Sequence, residues 1–131
     1  MLRRRARTFT MRVMIVDDDE TLLRGMQEWF VAGGNEVVTF SKFEPAKGYL
    51  ADARVDVLVT GVRLGAYNGL QLVMLAKAER PDMTAVVLSA SDDPVLRHDA
   101  TSIGASFRVK PVPHEQLLDG IGAGSGRSLA L

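Results

Sequence analysis

The chain alternates short apolar runs, rich in β-branched residues, with segments whose apolar residues recur at a spacing of three or four. The short runs predict five strands, at residues 13–16, 36–40, 55–60, 84–88 and 107–109. The spaced segments predict a helix after each strand, with Leu117, Leu118 and Ile121 forming a short last helix. Ser41, Asn68 and Ser91 are the predicted helix caps.

Alternating strands and helices of this length favour a parallel sheet with helices on both faces. Right-handed crossovers place each helix against the sheet, and parallel strands require such crossovers. Residues 55–60 are almost continuously apolar, which is typical of a central strand covered on both faces. The sequence therefore predicts one doubly wound α/β domain.

Composition and charge divide the chain into three parts. Of the 131 residues, the first ten include four arginines and no acid, and twelve basic residues stand against sixteen acidic residues afterwards. We predict a basic flexible arm at 1–10, the folded domain at 11–121 and a flexible Gly/Ser-rich tail at 122–131. The acidic domain argues against nucleic acid as its partner. The chain contains no cysteine and no long apolar segment, which predicts a cytoplasmic protein without a membrane span.

Polar side chains follow the predicted strands where a doubly wound sheet has its binding crevice, at the carboxyl ends. Asp17, Asp18 and Asp19 follow the first strand, Ser89 ends the fourth and Lys110 follows the fifth. Adjacent carboxylates repel one another, so a positive charge is expected beside them. Mg²⁺ and Lys110 are the two candidates. A plainer interpretation is that the three aspartates only cap the following helix.

Four stretches of the chain resemble the receiver domains of bacterial two-component response regulators. They are residues 13–19, residues 57–64 with 68–70, residues 86–90, and residues 104–105 with 109–111. The resemblance implies a flavodoxin-like fold with strand order 2-1-3-4-5. It also implies that Asp17 and Asp18 bind Mg²⁺, that Ser89 and Lys110 respond to a phosphoryl group, and that Phe107 is an aromatic that moves with phosphorylation. Phe107 as an ordinary core residue remains an equal alternative.

Gly61 stands where the family has its phosphate-accepting aspartate. Glycine has no nucleophile and removes a carboxylate from the expected metal site. We therefore predict a pseudo-receiver that is not phosphorylated at this position and binds Mg²⁺ weakly or not at all. Lys110, with Arg63 as a second candidate, is expected to neutralise Asp17 and Asp18 instead.

The resemblance implies signalling by protein contact rather than catalysis. The expected partners are a sensor kinase, a phosphotransfer protein or a separate effector, and a homodimer through the face of helix 4, strand 5 and helix 5 is a further option. The alternative is a haloacid dehalogenase-like phosphatase using Asp17 and Asp19, although the chain lacks a paired acidic motif after Lys110. The sequence leaves open the pathway, the partner, the oligomeric state, the role of the arm and whether the domain switches.

Overall fold

The structure is a computed structural model that describes residues 10–120. The predicted tail and all but Thr10 of the predicted arm lie outside the described residues. The strands are β1 Arg12–Val16, β2 Glu36–Phe40, β3 Val57–Gly61, β4 Arg63–Leu64, β5 Tyr67–Asn68, β6 Thr84–Ser89 and β7 Ser106–Val109. The helices are α1 Glu20–Ala32, α2 Phe43–Asp52, α3 Leu70–Glu79 and α4 Pro94–Ser102.

Five of the strands form one parallel sheet in the order β2-β1-β3-β6-β7. The remaining two, β4 and β5, form a separate antiparallel hairpin between β3 and α3. When the hairpin is set aside, the order of the main sheet is 2-1-3-4-5. The predicted fold class and strand order are therefore confirmed.

The sheet carries a core on each face because successive strand residues point to opposite sides. On one face, Met14 and Leu58 pack in a cluster that includes residues of α2, α3 and α4. On the other face, Val13 and Val59 share a cluster with residues of α1 and with Leu117. Burial on both faces accounts for the continuous apolar runs of β1 and β3.

The starts of two helices differ from the predicted caps. α4 begins after Asp93, whose side chain accepts hydrogen bonds from the amides of Val95 and Leu96, so the prediction of Ser91 is wrong. Pro94 explains the later start, since proline favours the first helical position and has no amide hydrogen to satisfy. The cap of α2 is Lys42 rather than Ser41. Asn68 does accept a hydrogen bond from an amide at the start of α3, although the cap position belongs to the next residue.

The predicted last helix is a 3-10 turn at His114–Gln116 in the described part of the chain, and Ile121 lies outside it. Prolines at 111 and 113 precede the turn and disfavour a helical conformation at the residue before each of them, so a helix can begin only after residue 112. Arg108 holds the segment against β7 by donating to the carbonyl oxygens of Gln116, at 3.3 Å, and Asp119, at 2.6 Å. Leu117 is buried beneath it.

Candidate functional site

Asp17 and Lys110 form an ion pair at the carboxyl ends of β1 and β7. Val16 lies opposite Thr60 in the parallel register, so Asp17 follows beside Gly61 at the end of β3. The Oδ2 atom of Asp17 lies 2.9 Å from Nζ of Lys110. The side chain of Asp17 is 1% exposed and that of Lys110 is 27% exposed. The two residues that the sequence predicted to converge are thus in contact.

The carboxylate of Asp17 is fixed at both oxygens. Its Oδ1 atom accepts a hydrogen bond of 3.0 Å from the amide of Asp19. Its Oδ2 atom is buried and has no hydrogen bond. The negative charge of Asp17 is balanced by the ammonium group of Lys110, which forms an ion pair with Oδ2. Burying a carboxylate is costly unless the charge is paired and hydrogen-bonded. The ion pair with Lys110 and the hydrogen bond from Asp19 together offset the cost of burying Asp17.

Gly61 provides the space that the Asp17 carboxylate occupies. A Cβ atom built on Gly61 would lie 2.6 Å from Oδ2 and 3.2 Å from Cγ of Asp17. Gly61 does not have a positive φ, so its backbone conformation is one that other residues also adopt. The absence of a side chain, rather than backbone freedom, is what this glycine contributes.

The β4–β5 hairpin follows Gly61 directly and packs back against it. The amide of Gly69 donates to the carbonyl oxygen of Val62 at 2.7 Å, and a Cβ atom on Gly69 would collide with the carbonyl oxygen of Gly61. The ring of Tyr67 stacks on that of Phe43 at 4.4 Å between centroids. The hairpin was not predicted from the sequence, although Gly65, with a φ of +66°, marks its tip.

The hydroxyl of Ser89 is engaged by its own loop. It donates to the carbonyl oxygen of Ser91 at 2.8 Å and accepts from the amide of Ser91 at 3.2 Å. The carbonyl oxygen of Ser89 accepts from the amide of Lys110 at 2.8 Å, which ties the ends of β6 and β7 together. Ser89 therefore lies at the carboxyl ends of the strands, as predicted, and its side chain points into the loop after β6.

Phe107, Asp18 and Arg63 lie in different environments. Phe107 is 5% exposed and packs in the core cluster on the face of α2, α3 and α4. Asp18 and Arg63 are exposed, and neither has an ion pair within residues 10–120. Lys110 thus pairs with Asp17 alone.

The site residues do not fit Mg²⁺ in this arrangement. Among residues 10–120 there is no group of three or more His, Cys, Asp or Glu side chains placed to hold a metal ion. Glycine at 61 offers no carboxylate, and Oδ2 of Asp17 already faces the ammonium group of Lys110. A hard divalent cation prefers several oxygen ligands, which this pair does not supply.

The sequence and the strand order match a known family. Residues 13–121 match the response regulator receiver domain. The chain belongs to this family. The phosphatase alternative finds no support in the comparisons with known proteins, and no helix within residues 10–120 is long and apolar enough to cross a membrane.

Curated relatives of this receiver domain are much longer than the chain. The alginate biosynthesis regulator AlgB of Pseudomonas aeruginosa is 30% identical over 107 residues, which cover 81% of this chain and 24% of AlgB. The sensory/regulatory protein RpfC of Xanthomonas campestris is 31% identical over 124 residues, covering 90% of this chain and 17% of RpfC. The chain therefore spans about a fifth of the length of these relatives.

Solved receiver structures share the fold. A CheY-like receiver domain protein from Methanospirillum hungatei aligns with a TM-score of 0.80 and 21% identity, covering 89% of this chain and 94% of that one. The beryllofluoride-activated DrrB receiver domain aligns with a TM-score of 0.77 and 24% identity, covering 91% of this chain and all of that one. At these identities the similarity is one of fold.

Proposed function

We propose that this receiver domain is a pseudo-receiver: it acts in two-component signalling through protein contacts and is not phosphorylated at position 61. One observation carries the proposal. The carboxylate of Asp17 fills the space beside Gly61 and is paired with Lys110. The ion pair supplies within the protein the positive charge that a metal ion would otherwise provide beside the Asp17 carboxylate.

Position 61 has no atom that can accept a phosphoryl group. A response regulator from Burkholderia pseudomallei, which aligns with a TM-score of 0.81 and 19% identity, was solved with a phosphorylated aspartic acid. Acceptance of that kind requires a carboxylate oxygen as nucleophile. Here the neighbouring hydroxyl, that of Thr60, is buried and donates to the carbonyl oxygen of Gly61 at 3.0 Å.

Other acids near β3 are poor replacements for the missing aspartate. Asp56 precedes the strand, and its Oδ2 accepts from the amide of Arg12 at 2.8 Å while its Oδ1 faces Arg80 at 3.4 Å. Asp56 is therefore at the amino end of the sheet, away from Lys110. Asp17 is at the correct end, but its Oδ2 atom is shielded from solvent and faces Lys110.

The function that follows is recognition by other proteins. A sensor kinase, a phosphotransfer protein or a separate effector in the cytoplasm would bind the domain, which would act as an adaptor or a decoy. Support comes from the family, and from relatives whose names describe transcriptional and sensory regulators. A homodimer through α4, β7 and the segment after β7 stays a prediction.

The test is to incubate the chain with Mg²⁺ and acetyl phosphate and to measure its intact mass, with a phosphorylatable receiver as positive control. We expect no phosphoryl group on the natural chain. A Gly61→Asp variant restores a carboxylate nucleophile at this position, and we expect it to acquire a phosphoryl group once the Asp17 side chain moves away from residue 61. Phosphorylation of the natural chain, or a micromolar affinity for Mg²⁺ by calorimetry, would overturn the proposal.

A further inference from the structure

Arg97 contacts two residues that belong to different parts of the receiver domain. The Cζ atom of its guanidinium lies 4.8 Å from the centroid of the Phe107 ring in β7. Its Nη2 atom donates to Oδ1 of Asp92, in the loop after β6, at 2.7 Å. One side chain of α4 therefore joins this loop to the buried aromatic ring.

The loop that Arg97 contacts follows Ser89, the last residue of β6. The hydroxyl of Ser89 is bonded to the backbone of Ser91, and Asp92 is the next residue. The end of β6 is thus connected to Phe107 by the hydrogen bonds between Ser89 and Ser91, the chain from Ser91 to Asp92, and the two contacts of Arg97. The two positions that the family resemblance singles out, Ser89 and Phe107, are joined through the surface of α4.

We propose that Arg97 is a positioning residue that ties the loop after β6 to Phe107 and holds the ring in its buried position. A cation over an aromatic face is attracted by the negative face of the ring. The planar guanidinium can lie over the ring and still direct a hydrogen bond to a carboxylate, which the compact ammonium group of lysine cannot do with the same geometry. Arginine is therefore the residue type that this double contact requires.

The consequence concerns the surface formed by α4 and β7. With the ring held, this surface has one conformation and a partner binds it without a preceding signal. This consequence rests on the proposed function, in which no phosphoryl group is present at position 61 to move the ring. The contacts themselves are independent of Gly61.

The rival explanation is that core packing alone holds Phe107. Ala100 and Ala105 are buried in the same cluster, and the ring would stay in place without Arg97 if they sufficed. The two explanations predict different outcomes when the guanidinium is removed but its aliphatic part is kept. Arg97→Met makes that change.

The experiment measures ¹³C relaxation dispersion of Phe107 in the full chain with labelled phenylalanine, the signal being assigned with Phe107→Leu. We expect Arg97→Met to raise the exchange contribution of the ring by about two- to fivefold, which corresponds to the loss of one exposed cation–π contact. Asp92→Asn should act in the same direction, and adding it to Arg97→Met should have no further effect, because the two residues act in series. Arg54→Met, at an exposed arginine elsewhere, is the matched control.

Three results would overturn the proposal: an unchanged ring signal in Arg97→Met, an equal change in Arg54→Met, or fully additive effects of Asp92→Asn and Arg97→Met. The measurement contains no phosphoryl donor. Its outcome is therefore separate from the mass experiment that tests the proposed function, and either can fail while the other holds.

Discussion

The Oδ2 atom of Asp17 lies where a side chain at residue 61 would begin, 2.6 Å from the position of a Cβ atom on Gly61. The buried ion pair of Asp17 and Lys110 therefore depends on the absence of a side chain at residue 61. A glycine at the end of β3 makes room for the carboxylate from the end of β1, and that carboxylate is the partner of Lys110. A substitution at any one of the three positions should affect the other two.

Gly61→Ala should destabilise the domain, because its methyl group would require the Asp17 carboxylate to move away from Lys110. We expect a loss of about 1–3 kcal/mol, in the range of overpacked cores, measured by urea unfolding. Gly48→Ala is the matched control: its Cβ atom meets nothing within 4 Å in α2, and the change should stabilise by roughly 0.5–1 kcal/mol. An unfolding midpoint of Gly61→Ala equal to that of the natural chain would contradict the steric argument.

Lys110→Met should leave the Asp17 carboxylate buried without a counter-charge. Removing one member of a buried pair costs about 3–5 kcal/mol, and partial exposure of Lys110 places the expected loss nearer 2–3 kcal/mol. Asp17→Asn in the same chain should restore much of the loss, since a neutral amide needs no ammonium partner. Lys47→Met, at an exposed lysine, is the control. Equal unfolding free energies for Lys110→Met and Lys47→Met would show that the pair contributes nothing.

The sequence was sufficient to place Asp17 and Lys110 at one edge of the sheet. Their convergence follows from topology, because each is the residue after a parallel strand and the carboxyl ends of such strands meet at the same edge. The pairing of Asp17 with Lys110 was predicted as well, but the exact position of the carboxylate was not. That Asp17 would enter the space at Gly61 depends on packing between neighbouring strands, and hydrophobic periodicity carries no information about it.

Shorter elements were harder to predict for physical reasons. Two-residue strands such as Arg63–Leu64 are too short to show the alternation that identifies a strand, so the hairpin was missed. The last helix was predicted from the spacing of Leu117, Leu118 and Ile121, and three apolar positions within five residues are too few to distinguish an α-helix from a 3-10 turn. The double contact of Arg97 depends on how α4 packs against β7, and the sequence pattern does not indicate it.

Asp19→Ala should destabilise the domain by about 1 kcal/mol, whereas Asp18→Ala should have almost no effect. The side chain of Asp19 accepts a hydrogen bond of 3.1 Å from the amide of Leu22 and caps α1. The exposed side chain of Asp18 has no described ion pair to lose. Chemical denaturation of the two variants distinguishes a capping role from a general effect of the acidic cluster. Equal losses in the two variants would contradict a specific contribution of the Asp19 cap to stability.

Gly69→Ala should separate the hairpin from the end of β3. Its methyl group would collide with the carbonyl oxygen of Gly61 and lie 2.7 Å from Oγ1 of Thr60, and backbone cannot yield as a flexible side chain can. We expect a loss of about 2–3 kcal/mol and faster hydrogen exchange of the residue 69 amide, which donates to Val62.

Gly65→Ala is the control for this change, because residue 65 lies at the tip of the hairpin and its substitution changes the backbone preference without adding a contact. Its Cβ atom would meet nothing within 4 Å, but its φ of +66° disfavours a side chain, by about 1–2 kcal/mol. Gly65→Ala should therefore lower the free energy of unfolding. The residue 69 amide should still exchange its hydrogen only when the whole domain unfolds. If Gly65→Ala and Gly69→Ala expose that amide equally, contact with Gly61 is not what holds the hairpin over the site.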